Sequence, residues 1–508
     1  GDCSVQSSCI AIEPVETSLG RKRRINPTSC NVDLSCLKGF CPSFVTVAGP
    51  PRAPDADPHW QAREGELSAD LPQPSIPTTD RPWRALFAGI GGGGIVTSGA
   101  VLAMAAHLEG KVVRTLDYTG LAQKNGTVVA HVQIGDDEAS LDVVRIPLGT
   151  ADVMIAADLA VGAGPGVLER NASSAAVIGN LDLAATAAFK HDANLLIDAV
   201  LHRRTIERAT NATASTYLHA VRLAEHLFGN AQAMNTMLLG LAWQRGLIPV
   251  GEAAILRAIE MNGAAVSLNR RAFLWGRILA ERPALEDEIL VHTLEAPPAT
   301  LDALIEVRAA ALVAYQNVRL AKRYRALLDE VITRETQVFG EAGRLSRAAA
   351  EGLYRVMAYK DEYEVARLHA AATYGEKPRF HLSPPLITGI DPATGRRRKI
   401  ALPGWLALPL FRVLRHGKHL RGTALDLFGR QQERQMERAL IEQYVGDLRA
   451  VLAALRPDTL DGAVAIAQLP DMIRGFGPVK EANRIKAEEQ RRQLLPRLTA
   501  TPVPVAAE

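Results

Sequence analysis

All five cysteines of this 508-residue chain fall within its first 41 residues, at Cys3, Cys9, Cys30, Cys36 and Cys41. Everything after Cys41 must therefore fold on ordinary cores, and any chemistry that needs several thiols is confined to one short N-terminal region. The set reads Cys3-x5-Cys9, then Cys30-x5-Cys36-x4-Cys41-Pro42. A Cys-Pro pair closing a short cysteine run is the bacterial-ferredoxin way of supplying a last cluster ligand. Thiolates suit an iron–sulfur cluster because they are soft, anionic donors. The two-residue gaps of a ferredoxin are absent, and five ligands exceed the four that one [4Fe–4S] cluster takes. One cluster with a spare thiol fits, and so do two clusters completed from outside this chain. The chain opens without methionine and in mid-motif, which predicts further ligands upstream in a longer polypeptide. Zinc competes, but the five-residue gaps exceed those of structural zinc sites. Disulfides and plain buried thiols rank behind it, since the cysteine count is odd and no secretory signal precedes it.

The length predicts two to four domains. A hydrophobic content of 47% and a charged content of 22% are those of a soluble globular protein. With 58 basic and 55 acidic residues the net charge is +3, which argues against general nucleic-acid binding. The one long uncharged run, Ala85 to Leu108, holds six glycines between Gly89 and Gly99. It reads as a strand, turn and helix rather than a membrane span. A cytoplasmic location follows as the expectation, because reduced surroundings protect thiolate ligands.

The run Arg21-Lys22-Arg23-Arg24 reads first as a solvated basic loop. It could also offset the charge of a thiolate-bound cluster, guide an acidic electron carrier, or, third, act as a nuclear signal. Prolines at 50, 51, 54, 58, 72, 74, 77 and 82 mark residues 48–82 as a linker over the surface. The predicted division is thus a Cys-rich region 1–47, the linker, an α/β domain 83–282 and a helical domain 283–508.

From Arg84 the pattern alternates. Ala85–Ala88 reads as a buried strand, Gly89-Ile90-Gly91-Gly92-Gly93-Gly94 as a tight turn, and Ile95–His107 as a helix. Further strands are expected at Val112–Leu116, Val128–Ile134, Asp142–Ile146, Val153–Ala157, Ala175–Ile178 and Leu195–Ile197. The fold class is α/β and doubly wound, with a Cys-rich region before it and a largely helical region after it. Gly89, Gly91 and Gly94 match G-x-G-x-x-G after a strand and before a helix, and Asp117 closes the second strand. Such glycines let a phosphate approach a helix N-terminus. The bland reading is close packing against a neighbour. The loop Asp117 to Gly126, with Lys124 in it, could line an anionic ligand or merely connect two strands. Helices are expected at Ala214–Leu227, Ala231–Arg245, Gly251–Met261 and Ala264–Ala280, carrying Asn235 and Asn269 as possible binding groups. Beyond Pro283 helices dominate, interrupted by a Pro/Gly-rich excursion His381–Gly404 that holds Arg396-Arg397-Arg398-Lys399.

The opening Gly1-Asp2-Cys3 to Cys9, Gly20 to Asn26, Ser29-Cys30-Asn31 and Lys38 to Val47 resemble the central iron–sulfur region of fused indolepyruvate ferredoxin oxidoreductases. Gly89–Gly94 with Asp117–Gly126, continuing through Asn235 to Ala280, resembles the gamma-type domain of 2-oxoacid:ferredoxin oxidoreductases. Tyr359–Tyr363 and Asp471–Pro478 are similar to the tail of the fused form. The resemblance implies oxidative decarboxylation of an aryl 2-oxoacid, with thiamine diphosphate and Mg²⁺ at the reacting carbon, coenzyme A taking the acyl group, and ferredoxin taking the electrons. It implies that the five cysteines ligate one or two [4Fe–4S] clusters. Gly89, Gly91, Gly92, Gly94, Asp117 and Lys124 would then face the thiamine diphosphate half or coenzyme A. The thiamine-binding part of the family precedes the cysteine region, and no Gly-Asp-Gly stretch occurs here, so the full reaction is expected to need that partner half. The family often carries glutamine or threonine where Gly93 stands. The helical remainder would serve assembly, with a homo-oligomer expected, and shield the site. A nicotinamide-dependent Fe–S oxidoreductase and a zinc-stabilised interaction module are the alternatives.

Overall fold

The computed structural model describes residues 9, 11–26, 30–39, 41, 44–49, 56–120, 126–141, 143–183, 198–291, 298–383, 388–389, 392 and 398–499. The first of these form an antiparallel hairpin of β1 (Ile12–Val15) and β2 (Lys22–Ile25), paired from Ile12 opposite Ile25 to Val15 opposite Lys22. Cys9 precedes the hairpin and Cys30 follows it, so both leave from its open end. A two-residue strand, β3 (Val45–Thr46), comes next.

The supposed linker is partly a helix. Pro58–Ser68 begins at Asp57, whose carboxylate accepts the His59 N–H at 2.9 Å, and Pro58 sits at the first helical position. It is too short of apolar residues to make a core alone. Instead Trp60 and Leu67 join the core of the α/β domain, Trp60 meets Trp275 edge-on, and Glu64 accepts from Arg271 and Trp275. The proline spacing concealed that borrowed burial.

The α/β domain is built on a six-stranded sheet. Its strands are β4 (Trp83–Ile90), β5 (Val112–Thr119), β6 (Thr127–Gly135), β7 (Ala151–Ala156), β8 (Asn171–Asn180) and β9 (Thr216–Leu218), in the order β5-β6-β4-β7-β8-β9. Strands β4, β7, β8 and β9 run parallel, while β6 is antiparallel to both β4 and β5. Nearly every residue of β4 is buried, as expected of a strand covered on both faces. One face packs on helices including Ile95–Leu108, Met234–Gln244 and Val266–Glu281; Leu86, Met154, Val177 and Ile206 belong to the core on the other.

Three expectations need correction. Residues 143–146 form no strand: Gln133 Nε2 donates to the carbonyls of Val143 and Val144 at 2.7 and 2.9 Å, and Ile146 N–H bonds the His131 ring, so side chains hold this segment in place of a ladder. Asp142 and Leu195–Ile197 lie outside the described residues. Thr216–Leu218 is a strand where a helix was expected, and the helix begins only at Ala220. The helical C-terminal region is interrupted by two strands, β10 (Arg379–Leu382) and β11 (Ile400–Pro403), and β10 pairs with β3. The Cys-rich region is therefore stitched into the C-terminal domain instead of standing apart. At that seam Phe380 packs with Ala366, Ala407 and Phe411 in a small core of its own, while the helices Leu301–Tyr315, Val318–Phe339, Arg344–Met357 and Gln432–Ala453 share another.

Candidate functional site

Gly89 ends the buried part of β4 because nothing larger fits: a Cβ there would stand 2.5 Å from Ile95 Cδ1. The chain then turns through Gly92 and Gly94, at φ +82° and +84°, a region that glycine alone enters without strain. Gly93 N–H donates to the Ile90 carbonyl at 3.1 Å, and the helix Ile95–Leu108 starts with Ser98 N–H on Gly94 O at 3.2 Å.

Two other segments close on this loop. Gly91 N–H donates to Gly126 O at 2.7 Å, and Gly120 N–H to Thr127 O at 2.9 Å, so the β5–β6 hairpin tip lies against the glycine turn. The structure thus brings residues 89–94 and the described ends of 117–126 together. Lys124 lies outside the described residues. From the opposite side, Asn235 Nδ2 donates to Gly93 O and Gln232 Nε2 to Gly92 O at 3.3 Å. Asn235 is only 5% exposed. Its role is to hold the loop. Asn269 instead accepts from Thr236 Oγ1 at 2.9 Å and donates to Ala264 O at 2.9 Å, a local tie.

This arrangement departs from a dinucleotide site in two ways. The amides of Gly91 and Gly93 are already spent within the protein. Asp117 is exposed on β5, and β6 runs between β5 and β4. Asp117 is opposite Ala130, which is opposite Phe87. Two strand spacings place it about 10 Å from the glycine strand. In a dinucleotide site the acid stands on the neighbouring strand, within reach of a ribose. Asp117 does not pair with the glycine loop in that way, and partial desolvation raises its pKa.

The second cluster is the cysteine region. Cys9, Cys30, Cys36 and Cys41 are present as half-buried thiols; Cys3 lies outside the described residues. The Cys36 thiol is pushed up first by burial, then by the Cys9 and Cys30 thiolates, so these three share one neighbourhood. Val32 N–H donates to Cys30 Sγ at 3.4 Å, the kind of backbone bond that steadies a thiolate. Among the described residues no three or more His, Cys, Asp or Glu side chains are gathered closely enough to hold a single metal ion. Soft thiols grouped in one neighbourhood are the chemistry of an iron–sulfur donor set. One more participant comes from far along the chain. Lys399 Nζ donates to Leu37 O at 2.9 Å and to Cys41 O at 3.0 Å, and lies 5.5 Å over the Phe44 ring. One member of the basic run 396–399 is thus a clamp on the cysteine loop. In the other run, Arg21 pairs with Glu16 at 2.6 Å, and Arg24 with Glu13 at 2.5 Å and Glu225 at 3.4 Å.

Residues 84–278 match the family described as pyruvate ferredoxin/flavodoxin oxidoreductase. Residues 301–493 match a family of unknown function, DUF6537. Indolepyruvate oxidoreductase subunit IorB of Archaeoglobus fulgidus is 47% identical over 68 residues, 13% of this chain and 32% of that protein. The same subunit of Pyrococcus horikoshii is 35% identical over 75 residues, 15% of this chain and 36% of that protein. The chain therefore spans about a third of the length of the curated relatives it matches. Among solved structures, pyruvate oxidoreductase subunit PORC from Thermotoga maritima is 21% identical with a TM-score of 0.29, covering 39% of this chain and 96% of that one. The gamma subunit of a keto/oxoacid ferredoxin oxidoreductase from Geobacter sulfurreducens is 20% identical with a TM-score of 0.29, covering 39% and 99%. No helix among the described residues is long and apolar enough to cross a membrane.

Proposed function

We propose that this chain, whose residues 84–278 match the pyruvate ferredoxin/flavodoxin oxidoreductase family, is the electron-handling and gamma-type portion of an indolepyruvate-type enzyme. The observation that carries this reading is the domain match over residues 84–278. The IorB relatives support the aryl substrate class, and the shared neighbourhood of Cys9, Cys30 and Cys36 supports the electron path. The reaction converts an aryl 2-oxoacid and coenzyme A to acyl-CoA and CO2, and its two electrons pass to ferredoxin.

In this reading Cys9, Cys30, Cys36 and Cys41, with Cys3, hold one or two [4Fe–4S] clusters, which would carry electrons singly. Thiamine diphosphate and Mg²⁺ belong to a partner half, and supply the carbanion-stabilising chemistry. This chain's own residues do the positioning. Gly89 to Gly94, pinned by Gly126 and Asn235, present a rigid turn toward that half or toward coenzyme A. The rigid turn and the helical domain exclude water from the reacting centre. Lys399 fixes the cysteine loop.

The test is iron and acid-labile sulfide on anaerobically purified chain, with EPR before and after dithionite. Four or eight irons per chain and a reduced cubane signal are expected. Zinc without sulfide would overturn the electron path. With the thiamine-binding half added, indolepyruvate and coenzyme A should together reduce ferredoxin. A clear preference for pyruvate would remove the aryl specificity. The nicotinamide reading predicts saturable NAD(P)H binding, which the separation of Asp117 from the glycine strand disfavours.

A further inference from the structure

Where the β1–β2 hairpin approaches the helical domain, positive charge gathers that the nearby carboxylates among the described residues do not match. Arg308, on the helix Leu301–Tyr315, is 4% exposed, yet its Nε has no hydrogen-bond partner. Its guanidinium lies over the Tyr354 ring at 4.6 Å, a contact that leaves its charge unneutralised. Arg308 Nη2 would stand 3.6 Å from a Cβ on Gly20, at the hairpin turn.

Other cations converge there. Lys22 is crowded by protein on most sides while much of its side chain remains open to solvent, as in a cleft. Its pKa is pushed down to about 8, first by burial and then by Lys360, Arg355 and Arg308. Arg355 also has an Nε without a hydrogen-bond partner, although its Nη2 pairs with Asp471 at 2.6 Å. Arg474 is pushed down to about 10, by burial first and Arg355 next. The carboxylates in reach do not balance this. Glu364 is held by Arg367 at 2.7 Å, Asp471 is shared with Arg355, and Glu351 lies beyond ion-pair distance of Arg308, its own pKa raised by burial. Burying a guanidinium without a counter-charge is strongly unfavourable. A bound anion would offset it.

We propose that this cleft, lined by Lys22, Arg308, Tyr354, Arg355, Lys360 and Arg474, is a binding site for a phosphate-bearing anion of more than one negative charge. A single carboxylate would leave most of these cations unmatched, whereas a diphosphate can engage a guanidinium fork and two ammonium groups at once. The cleft lies at the turn end of the hairpin, while Cys9 and Cys30 leave from the open end, so its charge serves something other than the thiols. The inference does not rest on the function proposed above. Free pyrophosphate and coenzyme A both carry the required chemistry.

The experiment measures thermal unfolding of the full chain, and calorimetric binding, with pyrophosphate, coenzyme A, or sodium acetate and chloride at matched ionic strength. Pyrophosphate or coenzyme A should raise Tm, as any ligand that binds only the folded state does. Arg308→Met should abolish that rise, while its own Tm without anion equals or exceeds that of the wild type. Lys22→Gln, at an open position, should weaken binding about tenfold, the loss expected for one charge-assisted contact. A response to coenzyme A alone would assign the site to the coenzyme, and a response to both would assign it to the diphosphate group. Equal Tm in the pyrophosphate, coenzyme A and chloride arms, or a rise that survives both substitutions, would overturn the proposal. If Arg308→Met does not fold, the Lys22→Gln affinity decides alone.

Discussion

His131 stands on β6 with 3% of its surface exposed, and its Nδ1 accepts the Ile146 N–H at 3.3 Å. Burial first, then Arg170 and Arg145, push its pKa down from 6.5 to about 4. The unfolded chain thus binds a proton below pH 6.5 that the folded chain refuses until about pH 4. Stability should fall across that window as pH drops, by up to about 3 kcal/mol from this residue. Urea unfolding of wild type and His131→Gln at pH 7 and pH 4.5 should show a smaller acid loss in the variant. An equal loss in both would place the acid sensitivity elsewhere. Lys22 works in the opposite range: its lowered pKa makes the folded chain release a proton near pH 8 that the unfolded chain keeps to about 10.5, so stability should rise across that window. Lys22→Gln should flatten the rise in anion-free buffer. His131 was not readable as special from its neighbours in sequence, and Lys22 stood out only as one member of a basic run. Asn235 was noticed as a polar group in an apolar helix, but its bond to Gly93 joins positions 142 apart.

At the scale of elements, the helices Met234–Gln244 and Val266–Glu281 cross with their backbones touching. A Cβ on Gly276 would lie 2.0 Å from Met237 O, and one on Gly240 would lie 2.1 Å from Phe273 O. Neither backbone can yield without moving the other helix. Gly276→Ala should cost about 3 kcal/mol by urea unfolding, and because the first helix carries Asn235, it should also loosen the glycine turn. Glu335, 2% exposed, caps a different helix. It accepts the amides of Gly343, Leu345 and Ser346 at 3.0, 2.9 and 2.8 Å, ahead of and within the first turn of Arg344–Met357. Burial opposes its charge, but these bonds and the Ser346 hydroxyl hold its pKa below the usual range. Glu335→Gln should destabilise by about 2 kcal/mol, since an amide N–H then faces donors; no change in the unfolding midpoint would count against the cap. Elements of this kind were largely legible. The apolar spacing marked Ile95–Leu108 and the helices from residue 234 to 281 to within a few residues. Helix breaks were not, because Asn317 and Asp361 interrupt long periodic runs by capping new helices, with carboxyl or amide oxygens on Leu320 and Glu364 amides.

Across the whole molecule, the Cys-rich region touches both large domains. Arg24 reaches Glu225 of the α/β domain, and β3 pairs with β10 beyond it. Thr46 and His381 meet at 3.0 Å across 335 positions of sequence. No local pattern could have announced that pairing, which is why the sequence suggested four successive units. Lys399→Met should leave the α/β domain intact but speed the loss of iron in air, followed by the decay of visible absorbance; unchanged decay would relegate the clamp to packing. The seam also orders events in time. At 5–20 residues per second, about half a minute separates synthesis of Thr46 from that of His381. For that interval the ribosome displays the cysteine loop with neither β10 nor Lys399 to cover it, so on the iron–sulfur reading proposed above, metal loading and oxidative damage would compete for the same thiols before the chain that protects them exists.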